Sequence, residues 1–306
     1  NKQDTDYGAE GGWIDCDNVR FRYGLPEKIG GWSSAVGSTM IGVARDMHTY
    51  TDLDGDSFAG IGTDRKLYIY FDNNFYDITP IRVNQSCSLS FTSGSDTVTV
   101  TSAAHGAVVG DFVTFSGTTG LSGGNIDNAD MNAEFEILTV PNANTFTINV
   151  SEINTPDFTD TATATGAFQI NVGADVATRG TGWGAGGWDL LTWGTPRPSG
   201  VITAQSRIWI LDNFGEDLIA TIKGGKSYYF DTSAFKVPRN TRATELTNAP
   251  DQSNFMLVSS RDRHLVFLGT ETTPGSSGTY DPMAVLFGDQ ESVTDFTPTS
   301  VNTAGF

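Results

Sequence analysis

Residues 57–80 constrain the fold of this chain more than any other stretch. They read SFAGIGTDRKLYIYFDNNFYDITP, in which three short apolar or aromatic runs are separated by polar turns. Period-two alternation between turn-forming Asp, Asn and Gly residues is typical of antiparallel strands that pair with their neighbours in the chain. A further strand is predicted at 41–50, and an Asp-Gly turn at 53–56 connects it to this stretch. Residues 41–80 are therefore predicted to form a four-stranded antiparallel sheet.

The same pattern recurs downstream. The segment DLIATIKGGKSYYFD at 217–231 aligns with 57–71 and places Lys226 on Lys66, and DFTP at 295–298 repeats DITP at 77–80. A sheet-sized unit that repeats along the chain is typical of a β-propeller. We therefore predict an all-β fold with β-propeller-like blades. Strands predicted at 255–260, 264–270, 283–288 and 292–297 form the third unit, and a propeller typically has four or more blades. We expect the amino-terminal hairpin, other chains or a longer polypeptide to complete the ring.

Composition supports an all-β class and limits the partners. The chain of 306 residues contains 35 Gly and 19 Phe, has no strong helical periodicity, and has no apolar stretch as long as a membrane span. Its net charge of −18 argues against a surface that binds phosphates, which needs clustered Lys and Arg. The negative charge either keeps the protein soluble or forms an acidic surface that repels nucleic acid, so that it passes without binding. The two cysteines, Cys16 and Cys87, are too far apart in sequence to suggest a disulfide framework or a zinc site.

The amino-terminal stretch 11–32 is predicted to form an exposed hairpin. Its strands are placed at 19–23 and 28–32, with a turn at 24–26. Strand alternation puts Arg20 and Arg22 on one face of the hairpin. A half-buried edge hairpin with solvated arginines is the simpler interpretation, and an interface carrying Trp13 and Trp32 is the alternative.

The amino-acid composition of the chain changes near residue 83. Residues 86–172 are rich in Thr, Ser, Val and Gly, with short alternating strands between turns. This composition predicts a small β-barrel or sandwich inserted into the series of blades. The predicted domains are therefore the first part of the propeller-like domain at 1–82, the inserted barrel at 83–175, and the continuation of the propeller-like domain at 176–306.

The inserted segment resembles a known module. Residues 96–127 and 131–150 contain the pattern HG…GD, a Phe-rich strand and a final TFTI strand, with His105, Gly106, Gly110, Asp111 and Phe146 at the matching positions. This pattern is similar to the phage-tail relatives of the first catalytic-cysteine half-domain of ubiquitin-activating enzymes. The resemblance implies a decorating β-barrel and no catalysis, because Cys87 lies outside the matching motif.

A tryptophan–glycine stretch at 180–194 is a second candidate for binding. Trp183, Trp188 and Trp193 recur there at five-residue spacing among glycines. Aromatic faces of this kind stack on sugar rings, or they pack between blades in a tight loop. We favour packing, and we group these tryptophans with the hairpin residues at 13–32 as candidates for interface or inter-blade contacts.

No catalytic or metal-binding signature is present in the sequence. The Gly-x-Ser-x-Gly, His-Glu-x-x-His and phosphate-loop patterns are all missing, so we predict a protein that is not an enzyme and has no cofactor. We interpret His48, His105 and His264 as unrelated structural residues.

The acidic run at 52–56 is spaced like the start of a calcium loop, but position 63 is Thr instead of Glu, which favours a hairpin turn. A carboxylate pair for glycoside hydrolysis stays open, since sequence spacing does not give spatial separation.

Taken in order, the motifs outside the inserted segment resemble one family, the tail nozzle or hub proteins of short-tailed phages. The motifs are WIDCDNVRFRYGLPEKIGGW at 13–32, IGVARDMH at 41–48, GTDRKLY at 62–68, DITP at 77–80, GWGAGGW at 182–188, LDNFGEDL at 211–218, SRDRHLVFLG at 260–269, DFTP at 295–298 and NTAG at 302–305. The resemblance implies a structural protein of the virion that forms a homo-hexameric ring around the genome exit channel.

The same resemblance implies the partners. They are further copies of the chain, the tail adaptor or portal-associated proteins, tail fibre or spike proteins, and DNA that passes without specific binding. A host-glycan-binding tail module is the alternative function.

Overall fold

The structure is a computed structural model, and it describes residues 17–30, 36–121, 125–151, 161–172 and 208–306. Two compact units divide the chain, residues 1–37 and residues 38–306. Strands dominate the described residues, and the longest α-helix there is the four-residue turn Thr232–Phe235. None of the helices found in these ranges has the length and apolar character needed to cross a membrane. The prediction of an all-β protein is confirmed.

The first unit contains a hairpin of β1 (Val19–Arg22) and β2 (Leu25–Lys28). Its two-residue turn consists of Tyr23 and Gly24, both with left-handed backbone (φ 52° and 78°). This is the primed turn that two-residue hairpins favour. The turn predicted at 24–26 is therefore wrong by one residue, because Pro26 has a restricted negative φ and pairs with Phe21 inside the ladder.

The first sheet of the second unit is the predicted four-stranded meander. Its strands pair antiparallel with their neighbours in chain order. They are β3 (Ala44–Thr51), β4 (Ser57–Thr63), β5 (Leu67–Phe71) and β6 (Asn74–Asp77). The alternation and turn residues of 41–80 predicted this sheet, and the prediction is confirmed.

The next sheet has seven strands in the order β10-β9-β13-β7-β8-β12-β11. They are β7 (Ile81–Phe91), β8 (Thr97–Thr101), β9 (Phe112–Thr119), β10 (Glu134–Glu136), β11 (Thr139–Asn142), β12 (Thr145–Asn149) and β13 (Thr161–Gln169). A small β-barrel or sandwich was predicted here, and the described strands form a curled half-barrel with β10 and β11 as its edges. Alternation places residues such as Val98, Val100 and Phe146 in its core and threonines on the opposite face.

Two further antiparallel meanders complete the second unit. The second four-stranded sheet contains β14 (Trp209–Phe214), β15 (Asp217–Ile222), β16 (Ser227–Phe230) and β17 (Thr244–Glu245). The three-stranded sheet contains β18 (Ser253–Val258), β19 (Leu265–Glu271) and β20 (Tyr280–Phe287). A fourth strand was predicted at 292–297 and is wrong. Its residues form bends there, because Ser292 Oγ and the Asp295 carboxylate accept nearby backbone N–H groups.

The second four-stranded sheet is covered on both faces. Leu218 and Ala220 of β15 belong to a core shared with Phe58 and Leu67 of the first sheet. Ile219, which points to the opposite face, belongs to a core shared with the three-stranded sheet. Burial on both sides explains why β15 is apolar at nearly every position and does not alternate.

Carboxylates join the first strands of these three sheets. Asp46 of β3 accepts a hydrogen bond from the backbone N–H of Leu211 in β14 (3.1 Å). Asp212 of β14 accepts one from the N–H of Val258 in β18 (2.7 Å). The three sheets thus stand in series, but the described residues do not close into a propeller ring. A ring typically needs four or more blades, and these residues supply three sheets of blade size.

Close approach of the first two meanders depends on glycine. Trp209 packs directly over Gly62, and its indole N–H donates to the carbonyl oxygen of Thr63 (2.9 Å). A Cβ at Gly62 would lie 2.3 Å from the indole ring, and one at Gly60 would lie 2.7 Å from Leu218. The small residues of the 57–63 strand therefore permit the contact between the sheets.

Gly62→Ala is expected to lower the free energy of unfolding by about 1–3 kcal/mol, because the added methyl group overpacks the contact with Trp209. Urea denaturation followed by fluorescence measures the change. Gly278→Ala is the matched control, since nothing lies within 4 Å of a Cβ at that position. Equal losses in the two variants would contradict the proposed role of the close contact.

Candidate functional site

The structure describes two of the residues predicted for an interface, Arg20 and Arg22. Arg20 Nε is 3.1 Å from a carboxylate oxygen of Glu27 on the paired strand, and the Arg22 guanidinium lies over the Tyr23 ring. Both arginines are on the exposed hairpin. The other candidates lie outside the described residues, so their roles stay predictions. They are Trp13, Trp32, Trp183, Trp188 and Trp193.

The three histidines lie in three separate environments. His48 Nε2 is 2.9 Å from the side-chain oxygen of Asn213. His105 is buried in the core of the seven-stranded sheet and stacks on Phe168, with a centroid distance of 6.1 Å. His264 Nδ1 is 2.8 Å from a backbone carbonyl oxygen. Across the described ranges, no three His, Cys, Asp or Glu side chains are grouped so as to hold a metal ion.

Cys87 is a free thiol in the core of the seven-stranded sheet. Burial raises the pKa of this thiol, although a hydrogen bond with Ser102 opposes the shift. A raised pKa keeps the sulfur protonated and therefore poorly nucleophilic at neutral pH. The thiol fits a packing role against Gly166, where an added Cβ would lie 2.8 Å from the sulfur.

The acidic run at 52–56 forms the turn between β3 and β4 and surrounds a lysine. Asp52 accepts backbone hydrogen bonds from Asp54 (3.0 Å) and Asp56 (2.9 Å). Lys236 Nζ lies 2.5 Å, 2.7 Å and 2.9 Å from the carboxylates of Asp52, Asp54 and Asp56. Hydrogen bonds to Asp52, then Asp54 and Asp56, raise the pKa of Lys236. The ammonium group contacts all three carboxylates of the turn and offsets one of their three negative charges.

The residues of the HG…GD motif have structural roles. The His105 ring contacts the Phe146 ring edge-on, with a centroid distance of 5.1 Å. Gly106 and Gly110 have left-handed backbone conformations (φ 61° and 89°). Asp111 accepts the backbone N–H three residues before it (2.9 Å), which closes the turn that leads into β9. The motif thus shapes a turn and part of a core.

Five polar residues meet around a buried lysine, and we call this group the charge cluster: Lys66, Asp77, Glu134, Gln169 and Arg242. Lys66 Nζ is 2.9 Å from Asp77 and also contacts Glu134. Arg242 is 3.2 Å from Asp77 and 3.9 Å from Glu134. The Gln169 amide donates to both carboxylates (2.5 Å and 3.3 Å). Two cations therefore face two anions.

The charge cluster lies where separate parts of the fold meet. Lys66 is in the β4–β5 turn, Asp77 ends β6, Glu134 begins β10, Gln169 ends β13, and Arg242 precedes β17. The Lys66 side chain is only 2% exposed. Burial opposes ionisation of Asp77, but Arg242 and Lys66 outweigh it and hold the pKa of this carboxyl below its usual value. The paired charges remove most of the cost of burying a lysine here.

Neighbouring side chains extend the contact with the seven-stranded sheet. Lys66 Nζ lies 4.2 Å from the centre of the Phe112 ring in β9, within cation–π range. Arg65 donates to the carbonyl oxygen of Gly110 (3.0 Å) and pairs with Glu136 of β10 (2.5 Å). The β4–β5 turn therefore docks the seven-stranded sheet on the first meander.

The sequence repeat identifies the lysine positions but not the cluster. Lys226 occupies the β15–β16 turn as Lys66 occupies the β4–β5 turn, and it pairs with Glu245 (2.5 Å) and Asp251 (3.2 Å). Its side chain is 41% exposed, so the second site is open to solvent. The lysine repeated at positions 66 and 226 was the sequence signal that pointed to this site. Glu134 could not be found from it, because that residue arrives from the inserted segment.

Lys66→Met is expected to lower the free energy of unfolding by about 3–5 kcal/mol, because two half-buried carboxylates would then share a single cation. Lys226→Met is the matched control at the repeat-related position, and its exposed ion pairs predict a loss of up to about 1 kcal/mol. Urea unfolding of both variants makes the comparison. Similar losses would show that burial of the charge cluster does not determine its contribution.

Comparisons with known proteins leave the family open. No protein-family model matches the chain, and no curated protein matches it. Among solved structures, the chain is similar to the phage phi92 endosialidase at 14% identity and a TM-score of 0.24. The similarity covers 86% of this chain and 38% of that protein, so the chain spans well under half of its length. This TM-score is too low to establish a shared fold.

Proposed function

We propose that this chain is a structural protein of the virion, a protomer of the tail nozzle or hub ring of a short-tailed bacteriophage. One observation carries the proposal beyond the sequence resemblance: several of the motifs behind that resemblance form turns and contacts between sheets. A scaffold needs such residues, whereas an active site would require reactive groups gathered in one place.

The DxTP motif illustrates this role at both of its positions. Asp77 accepts the backbone N–H of Thr79 (2.9 Å) and also belongs to the charge cluster. Asp295 accepts the backbone N–H of Thr297 (3.2 Å) and bonds the Asn302 amide (3.0 Å) of the NTAG motif. The two copies of the motif form the same side-chain-capped turn after their sheets.

The LDNFGEDL motif acts between sheets. Its Asp212 bonds β18, and its Asn213 lies against His48 of β3. Asp217 accepts hydrogen bonds from the Tyr229 hydroxyl (2.5 Å) and the Thr232 backbone N–H (2.9 Å). Each polar residue of the motif thus has a partner that fixes one element of the fold against another.

We further propose that the three meanders are blades of a propeller-like protomer, with the half-barrel as an inserted module. Six protomers would form a ring below the tail adaptor, in contact with portal-associated, fibre or spike proteins. The net charge of −18 suits a wall that repels DNA, so the genome would pass without binding. In this role the protein catalyses no reaction and needs no cofactor.

Mass photometry of the purified chain, alone and with its tail adaptor, tests the ring. We expect a particle of six times the 32.7 kDa subunit mass in at least the adaptor-containing sample. Head-to-tail contacts close into such rings. A subunit-sized mass in both samples would contradict the proposal.

Binding of a host glycan is a second candidate, favoured by the outer face of the seven-stranded sheet. Hydroxyl side chains stand opposite each other there on paired strands, with Ser88 between Thr101 and Thr163, and Ser90 opposite Thr99. These side chains are exposed. Rows of rigid, neutral hydroxyls offer hydrogen bonds to a polyhydroxylated ligand.

A glycan array tests this second candidate. Thr99→Val with Thr101→Val removes two hydroxyls and keeps the branched shape, so it is expected to reduce glycan binding at least tenfold. Thr244→Val, on an exposed strand of another sheet, is the control and is expected to retain binding. The candidate is rejected if the unaltered chain binds no glycan or the double variant binds normally.

A further inference from the structure

The three-stranded sheet has an exposed outer strand. The other two meanders have four strands each, whereas β20 is the edge of its sheet. Within the described residues, an isolated bridge to Gly305 covers the backbone of Phe287 at the end of this strand. Met283 is 84% exposed and Val285 45% exposed, so apolar side chains lie along an edge strand. Exposed apolar edges are sites at which another chain adds or packs.

The sequence around this edge is acidic. Residues 280–306 contain four acidic side chains and no lysine or arginine. Asp281 lies in β20 itself, and its carboxylate accepts the backbone N–H of Met283 (2.9 Å). A partner for this surface should therefore combine apolar side chains with positive charge.

The amino-terminal hairpin has these properties. Tyr23 is 91% exposed and Leu25 is 71% exposed at its tip. Arg20, Arg22 and Lys28 give the described hairpin a small basic excess over Asp17 and Glu27, in a chain whose net charge is −18. A two-stranded hairpin is marginally stable in water without a surface to pack on. The hairpin and the β20 edge are thus complementary in charge and in apolar character.

We propose that the hairpin of one copy packs against the β20 edge of the next copy in the ring. This contact uses different surfaces on its two sides, as a head-to-tail ring requires. Tyr23 and Leu25 would cover Met283 and Val285, and the basic residues would face Asp281. The inference rests on the proposed ring and names its interface.

Crosslinking between two separately purified chains tests the contact. One chain carries Tyr23→Cys and the other Met283→Cys, both in a Cys16→Ser background, with a short bis-maleimide as the crosslinker. Both positions are exposed, so the substitutions leave the cores intact. The mixture is expected to give at least five times more covalent dimer than either chain alone. Tyr23→Cys mixed with Leu53→Cys, which is 87% exposed on a different sheet, is expected to give background only.

Mass photometry of the same samples gives their oligomeric state, so that failure of the contact can be distinguished from failure of the ring. Hexameric mass without excess dimer overturns this contact and leaves the ring proposal intact. Subunit mass without dimer overturns both. A chain carrying both cysteines that crosslinks only within itself also overturns the inference, because the hairpin would then cover its own β20 edge.

Discussion

The burial of Lys66 between two carboxylates is the interaction on which the arrangement of the second unit depends. An ammonium group that is 2% exposed requires opposite charges at close range, and Asp77 and Glu134 provide them from two different sheets. Arg242 then balances the second carboxylate. Because the Lys66 ammonium group is shielded from solvent, moving either sheet would leave it without one of its two carboxylate partners. The half-barrel is therefore docked by electrostatics, and the meanders are held together mainly by apolar cores.

Electrostatic docking of the half-barrel and apolar cores between the meanders together suit a protein that holds a fixed shape. Within the described residues, polar side chains of the recurring motifs close turns, cap strands and bridge sheets, as Asp46, Asp212 and Asp295 show. In the acidic turn at 52–56, Lys236 contacts all three carboxylates and offsets one of their three negative charges. The hairpin and the β20 edge are the surfaces that we propose for assembly.

Local patterns predicted the elements well where turn chemistry and alternation agreed. The meander at 41–80 follows from its Asp-Gly turn and aromatic alternation. The repeat aligned Lys66 with Lys226 at the start of two predicted strands, and both lysines lie one residue before the strands of the structure. The errors arose where a local alternative competed: Ser292 and Asp295 capture backbone N–H groups that a strand would have used. The prediction for the inserted segment was a barrel or a sandwich, because alternation is the same in a closed and an open sheet.

The sequence by itself determined the all-β class, the meanders, their turns and the change of texture at the inserted segment, because these depend on residues close together in the chain. Tertiary structure decided which charges share a site, which strands are edges and which faces are covered. Lys66 and Lys226 show the physical reason. The two lysines occupy matching turns, yet one is buried and the other is 41% exposed, because Glu134 and Phe112 approach only the first from the inserted sheet.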